Sequence, residues 1–138
     1  VRISVTRDSP AAITTLWEAL ADLPSWPDWC PAFSAVQPDG PLQVGTTVRV
    51  VQPELRAATW TVQQVEPGRS FRWSTSGPGF RVVADHLLQE RGPGTSVTLT
   101  VTVTGPMGWA VTMVSGRAMR RYLDEQADAL AGLPNPAA

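Results

Sequence analysis

His86 is the one histidine of the chain, and so the one side chain that titrates near neutrality without special help. On a strand position facing inward, it could orient a carbonyl or hydroxyl of a bound molecule, or pass a proton as an acid or base. The plainer alternative is a neutral ring satisfied by a buried hydrogen bond. Cys30 is the only cysteine and has no histidine or base near it in sequence, so it reads as a small, partly buried apolar residue rather than a nucleophile. His86 and Cys30 lie too far apart to make a ligand cluster of the usual kind, so neither metal nor cofactor is expected. Asp85 beside His86 is no dyad, because adjacent strand residues face opposite sides of a sheet. Arg120 could fix a carboxylate or phenolate by paired hydrogen bonds, or run out to solvent along its apolar stem. No Ser–His–Asp order, phosphate loop, dinucleotide fingerprint or paired carboxylates can be defended.

What remains is chemistry by shape. Six tryptophans stand in 138 residues, an aromatic wealth suited to flat or ring-bearing molecules. If Leu88 points inward, parity brings Phe80, Val82, Ala84 and His86 with it. Trp60, Val62, Phe71, Trp73, Val101 and Val103 join from neighbouring strands, and Trp29 from a proline-rich segment. Trp109, Met113 and Gly116 come from the last helix. These residues either wall a cavity or simply fill a core, and the two readings weigh evenly for any single tryptophan. Gly116 bears on the choice: a glycine in mid-helix costs about 1 kcal/mol relative to alanine, so on an inner stripe it implies that a ring or a ligand comes close.

The elements that must position these groups follow from periodicity. Residues 1–7 alternate apolar and polar as a strand with one buried face. Asp8, Ser9 and Pro10 open an amphipathic helix over 10–22, with Ile13, Leu16, Trp17 and Leu20 on one side and Pro24 ending it. The segment 23–33 holds three prolines and large aromatics, which predicts a short helical turn or two with rings inward. Strands follow over 34–38, 46–53, 57–66, 70–75, 80–90 and 95–104, separated by Gly- and Pro-rich turns. After Gly105-Pro106 the period becomes helical, and Trp109, Met113, Gly116, Leu123, Ala127 and Leu130 form a stripe along a helix over 107–131. At 1.5 Å per residue that helix is roughly 37 Å long and spans a domain. Its i,i+4 pairs Arg120–Asp124 and Arg121–Glu125 add a few tenths of a kcal/mol at most. The fold class is therefore α+β: about seven antiparallel strands, curved around one long C-terminal helix, with two short helices after the first strand. Such a sheet must curl, which leaves a wedge between sheet and helix.

Composition narrows the function. The length suits a single domain over 1–138, with 132–138 a frayed tail. Eleven arginines, no lysine and twelve acidic residues give a net charge of -1, so the basic footprint of a nucleic-acid binder is missing. The lack of lysine fits the codon habits of a GC-rich, bacterial genome. One cysteine, no leader-like segment and no apolar run of about 18 residues lead us to expect a cytoplasmic protein without a membrane span.

Several phrases carry a resemblance. Trp29-Cys30-Pro31-Ala32-Phe33-Ser34-Ala35-Val36 precedes Gly40 and then Gly45, and Val65-Glu66-Pro67-Gly68-Arg69-Ser70-Phe71-Arg72-Trp73 forms a hairpin phrase. His86-Leu87-Leu88 is followed by Gly94-Thr95, and Gly105-Pro106 leads into the last helix. In order and spacing these resemble the START-like, or SRPBCC, superfamily of polyketide cyclase/dehydrase and lipid-transport proteins, over nearly the whole chain. The resemblance implies a helix-grip fold. Its members share a shape while carrying ligands, cyclising polyketides, oxygenating aromatics or binding proteins, so function must come from the site. The first expectation is a carrier or sequestering protein for a small apolar, cyclic or aromatic molecule. An aromatase/cyclase using His86 and Arg120 comes second and a protein-interaction module third, with a homodimer left open.

Overall fold

Alternation along the strands decides the inside of the molecule. In β7 (Gly94–Thr104), Val97, Leu99, Val101 and Val103 are buried on one face, while the threonines at 98 and 102 between them are less enclosed. β1 (Arg2–Ser9) pairs with it in antiparallel register, Val5 opposite Leu99, and buries Ile3 and Val5 on the same side. On the outer face, hydroxyls pair across the two strands, Ser4 with Thr100 at 3.0 Å and Thr6 with Thr98 at 3.2 Å. The remaining strands are β2 (Ala35–Pro38), β3 (Thr47–Val51), β4 (Ala58–Glu66), β5 (Ser70–Gly77) and β6 (Phe80–Arg91). Together they form one seven-stranded antiparallel sheet in the order β1-β7-β6-β5-β4-β3-β2. A bulge between Val62 and Gln64 breaks the register of β4 and adds local twist.

This computed structural model describes residues 1–134. Two short helices follow the first strand, α1 (Ile13–Ala21) and α2 (Trp26–Trp29), joined by a 3-10 turn over Leu23–Ser25. The prolines keep this segment short, and its rings do turn inward: Trp26 is fully buried and donates its indole N–H to the Leu20 carbonyl at 3.0 Å. The architecture is the α+β helix-grip arrangement, with a long α3 (Gly108–Ala131) against the concave face.

Where α3 begins is fixed by backbone. Gly105, at φ 99°, passes so close to the β5–β6 turn that an added Cβ would lie 2.5 Å from the Gly79 carbonyl oxygen. That same oxygen accepts the Met107 N–H at 2.8 Å. The helix then packs mainly on β7 and β1. At its far end Gly132 and Leu133 still donate to the Asp128 and Leu130 carbonyls, and of the tail expected to fray, 135–138 lies outside the described residues.

The rotation of α3 differs from the sequence expectation. Its C-terminal half buries Tyr122, Leu123, Gln126, Ala127 and Leu130, but in the N-terminal half Trp109 is 61% and Met113 78% exposed. The face turned to the sheet there carries Val111, Ser115 and Met119 instead. Arg120 is exposed, and its expected pairing with Asp124 gives way to a link between elements: Arg7 of β1 bonds Asp128 at 2.8 Å and Asp124 at 3.5 Å. Arg121 likewise reaches Glu54 in the β3–β4 loop rather than Glu125.

Candidate functional site

The first half of α3 stands off the sheet and encloses a cavity of about 870 Å³. Trp60 and Trp73 from β4 and β5, with Phe80, Val82 and His86 from β6, form its sheet wall. Val111, Ser115, Met119, Tyr122 and Gln126 form the helix wall. Leu55, Arg56 and Val114 border the mouth; Val114 is 86% exposed, so the cavity is open to solvent there. Phe33 closes the inner end, next to Trp26, at a ring-centroid distance of 5.0 Å.

Trp26 ties the wall together. Its ring lies 5.2 Å from Trp73, 5.7 Å from His86 and 6.1 Å from Phe71, in tilted contacts favourable for aromatic pairs. His86 stacks flat on Phe71, centroids 4.0 Å apart and planes 10° off parallel. Its Nδ1 faces the Phe71 carbonyl at 3.4 Å. A carbonyl only accepts, so Nδ1 carries the proton of the neutral ring and Nε2 keeps its lone pair. The ring is neutral at physiological pH, because burial pushes its pKa down to about 4 against the weaker opposite pulls of the Phe71 carbonyl and Asp85. The Asp85 carboxylate is held by Arg72 at 2.7 Å, on a strand position of opposite parity to His86.

Three polar groups of the helix wall, Ser115, Tyr122 and Gln126, were not picked out from sequence. Gln126 is 4% exposed, lines the cavity, and nothing among the described residues hydrogen-bonds its amide nitrogen. Tyr122 accepts the Glu54 N–H on its hydroxyl at 2.8 Å, tying the β3–β4 loop to the helix. A glutamine between Glu125 and Ala127 looks like part of a solvated face, and only the true rotation of α3 marks it.

Of the residues singled out from sequence, Trp60, Trp73, Phe80, Val82 and His86 come together on the cavity wall. Phe71 sits behind His86, and Leu88 is fully buried away from the cavity. Trp29 packs against Trp26 at 6.1 Å, also away from the cavity, with its indole nitrogen buried and unpartnered among the described residues. Trp109, Met113, Gly116 and Arg120 do not line it either. Gly116 has no close neighbour: an added Cβ would meet only the Thr112 Cγ2, at 3.4 Å. Cys30 is buried, which pushes its thiol pKa up to about 11 and leaves it un-nucleophilic.

Residues 1–133 match the model of the family described as polyketide cyclase / dehydrase and lipid transport. The chain belongs to this family. As a polyketide cyclase / dehydrase and lipid-transport family member, it shares its fold with solved structures of low sequence identity. TTHA0849 from Thermus thermophilus is 17% identical with a TM-score of 0.74, the match covering 95% of this chain and 94% of that one. CalU16 from Micromonospora echinospora is 23% identical with a TM-score of 0.64, covering 98% of this chain and 77% of that one. Ara h 8.0201 is 15% identical with a TM-score of 0.68, covering 94% and 97%. No curated protein sequence matches the chain. The family's hydrophobic-ligand-binding fold is thus present, and no helix among the described residues is long and apolar enough to cross a membrane.

Proposed function

We infer that this family member binds a small, ring-bearing apolar molecule in the cavity between sheet and α3, and acts as a carrier or sequestering protein in the cytoplasm. The observation that supports this most is the unfilled volume of about 870 Å³ walled by Trp60, Trp73 and Phe80. Cavities of about 300–1,000 Å³ with aromatic walls and few polar groups suit small-molecule binding. A core merely filled by its own rings would leave no such space, since interiors pack to crystal-like density.

A cyclase-type enzyme is the second reading, and His86 in the cavity wall is what favours it. A ring whose pKa lies near 4 is a weak base at neutral pH and has no proton on Nε2 to give, so its part would be to orient a substrate. The carrier reading needs no more than that.

The test is a thermal-shift screen of the purified protein against planar aromatic and lipid molecules. Binding at a hundred times Kd stabilises by about 2.7 kcal/mol, which for a domain of this size raises Tm by roughly 8–10 °C. Quenching of the Trp60 and Trp73 emission should titrate with the same midpoint. A diverse panel that moves neither signal sinks the reading.

A further inference from the structure

We propose that the outer face of the first half of α3 docks on an anionic lipid bilayer and sets the cavity mouth against it. Of the six large apolar side chains exposed among the described residues, four stand together at the start of this helix: Met107, Trp109, Met113 and Val114. At about 100° per residue, Trp109 and Met113 share one line along α3, turned away from Val111, Ser115 and Met119 on the cavity side. Val114 lies between the two faces and borders the mouth, so the exposed apolar surface reaches the opening. Apolar side chains clustered in this way mark a surface that something covers.

Charge identifies the cover. Arg117 and Arg120 extend the Trp109–Met113 line by the next turn, both are exposed, and neither has an acidic partner among the described residues. No aspartate or glutamate occurs between Glu90 and Asp124, so the first four turns of α3 carry only positive charge. Arg121 is taken by Glu54, while Arg56 at the mouth adds a further cation outside the ion pairs of the described residues. Apolar residues followed by arginines on one convex helix face suit a bilayer interface, where the ring and thioether enter the acyl boundary and the guanidinium groups meet lipid phosphates. A second copy of the chain fits worse: two such faces would bury arginines without a carboxylate, since Asp124, the next acid along the line, is held by Arg7. The docking stands apart from the ligand-binding reading above, but its use rests on that reading, because a bilayer at the mouth lets an apolar molecule reach the cavity without crossing water.

The test is co-sedimentation of the full chain, free of added ligand, with vesicles of phosphatidylcholine alone or of equimolar phosphatidylcholine and phosphatidylglycerol. The wild-type protein should partition onto the anionic vesicles at least tenfold more strongly, with a blue shift in the emission that Trp109→Phe removes. Trp109→Ser combined with Met113→Ser should weaken binding to the anionic vesicles at least tenfold. Arg117→Gln combined with Arg120→Gln should cost about fivefold per arginine on the anionic vesicles and nothing on the neutral ones. All four residues are exposed and none lines the cavity, so both double variants should keep the wild-type Tm and cavity-ligand affinity. Equal binding to the two vesicle types, or binding unchanged in either double variant, overturns the proposal. No vesicle binding at all, as for a face that a protein partner covers, overturns it too, as does a wild-type dimer that the Trp109 and Met113 variant turns into a monomer. A protein that sediments with anionic vesicles but takes up no member of the aromatic and lipid panel keeps the docking face and loses the carrier reading; ligand uptake without vesicle binding does the reverse.

Discussion

At the residue scale, His86 should write its burial into the pH dependence of stability. Its pKa is about 4 in the folded chain against an ordinary value of 6.5, so between those values the unfolded state binds more protons and stability falls as pH falls. The contribution is intact above pH 6.5 and is lost progressively through pH 4. Between pH 7 and pH 5 it amounts to about 2 kcal/mol, at 1.36 kcal/mol per pKa unit. Urea unfolding at the two pH values should show this loss, and His86→Phe should remove most of it while keeping an aromatic ring against Phe71. An equal pH slope in the variant would assign the loss to other groups. This behaviour was half legible in the sequence. Parity placed His86 on an inward strand position, but the stacking on Phe71 and the partner of Nδ1 come from the register of β5 against β6, which sets Phe71 opposite His86.

At the element scale, the strands were readable because each period-2 run ends at glycine or proline, and the structure moves their ends by only a few residues. The phase of α3 was not. A stripe drawn back from Leu130, Ala127 and Leu123 at a spacing of three or four residues reaches Gly116, Met113 and Trp109, none of which carries a polar side-chain group to break the stripe except the indole N–H. The true face continues from Gln126 through Tyr122, Met119 and Ser115 to Val111, and three of these five residues carry polar groups. Residues lining a hollow need not be as apolar as residues filling a core, so hydrophobicity alone picks the wrong face where the helix leaves the sheet. Gly116 makes the difference measurable. On a packed inner stripe, Gly116→Ala would clash; here the new methyl meets only the Thr112 side chain at ordinary contact distance. The substitution should therefore stabilise the protein by about 0.5–1 kcal/mol, through helix propensity and a less flexible unfolded chain. A lower Tm for Gly116→Ala would mean that this turn of α3 is packed more closely than the structure places it.

At the scale of the whole molecule, the resemblance and the element order foretold a wedge, but not whether it would be filled. Periodicity reports which face is buried and says nothing of how far apart two buried faces stand. That separation is set here by connections between elements: the Gly79–Met107 bond fixes the start of α3, Trp26 braces the aromatic wall, and Tyr122 with Arg121 ties α3 to Glu54 in the β3–β4 loop. The last of these borders the mouth, since Leu55 and Arg56 follow Glu54 directly and line it. The Arg121–Glu54 pair is exposed and contributes little. The Tyr122 hydroxyl is the stronger tie, because Tyr122 is buried and its acceptor satisfies a backbone N–H. Tyr122→Phe keeps the ring in the cavity wall and removes that acceptor alone. Global stability should drop by about 1 kcal/mol. The Glu54 amide should exchange with solvent at least tenfold faster by hydrogen exchange, with amides of β7 slowed or hastened only by the change in global stability. A planar aromatic ligand should then both enter and leave the variant faster, at an unchanged Kd, because the contacts that hold it are intact while the loop at the mouth is looser. If Glu54 exchange is unchanged, the loop is held by its own turn rather than by the helix, and the mouth is a fixed opening.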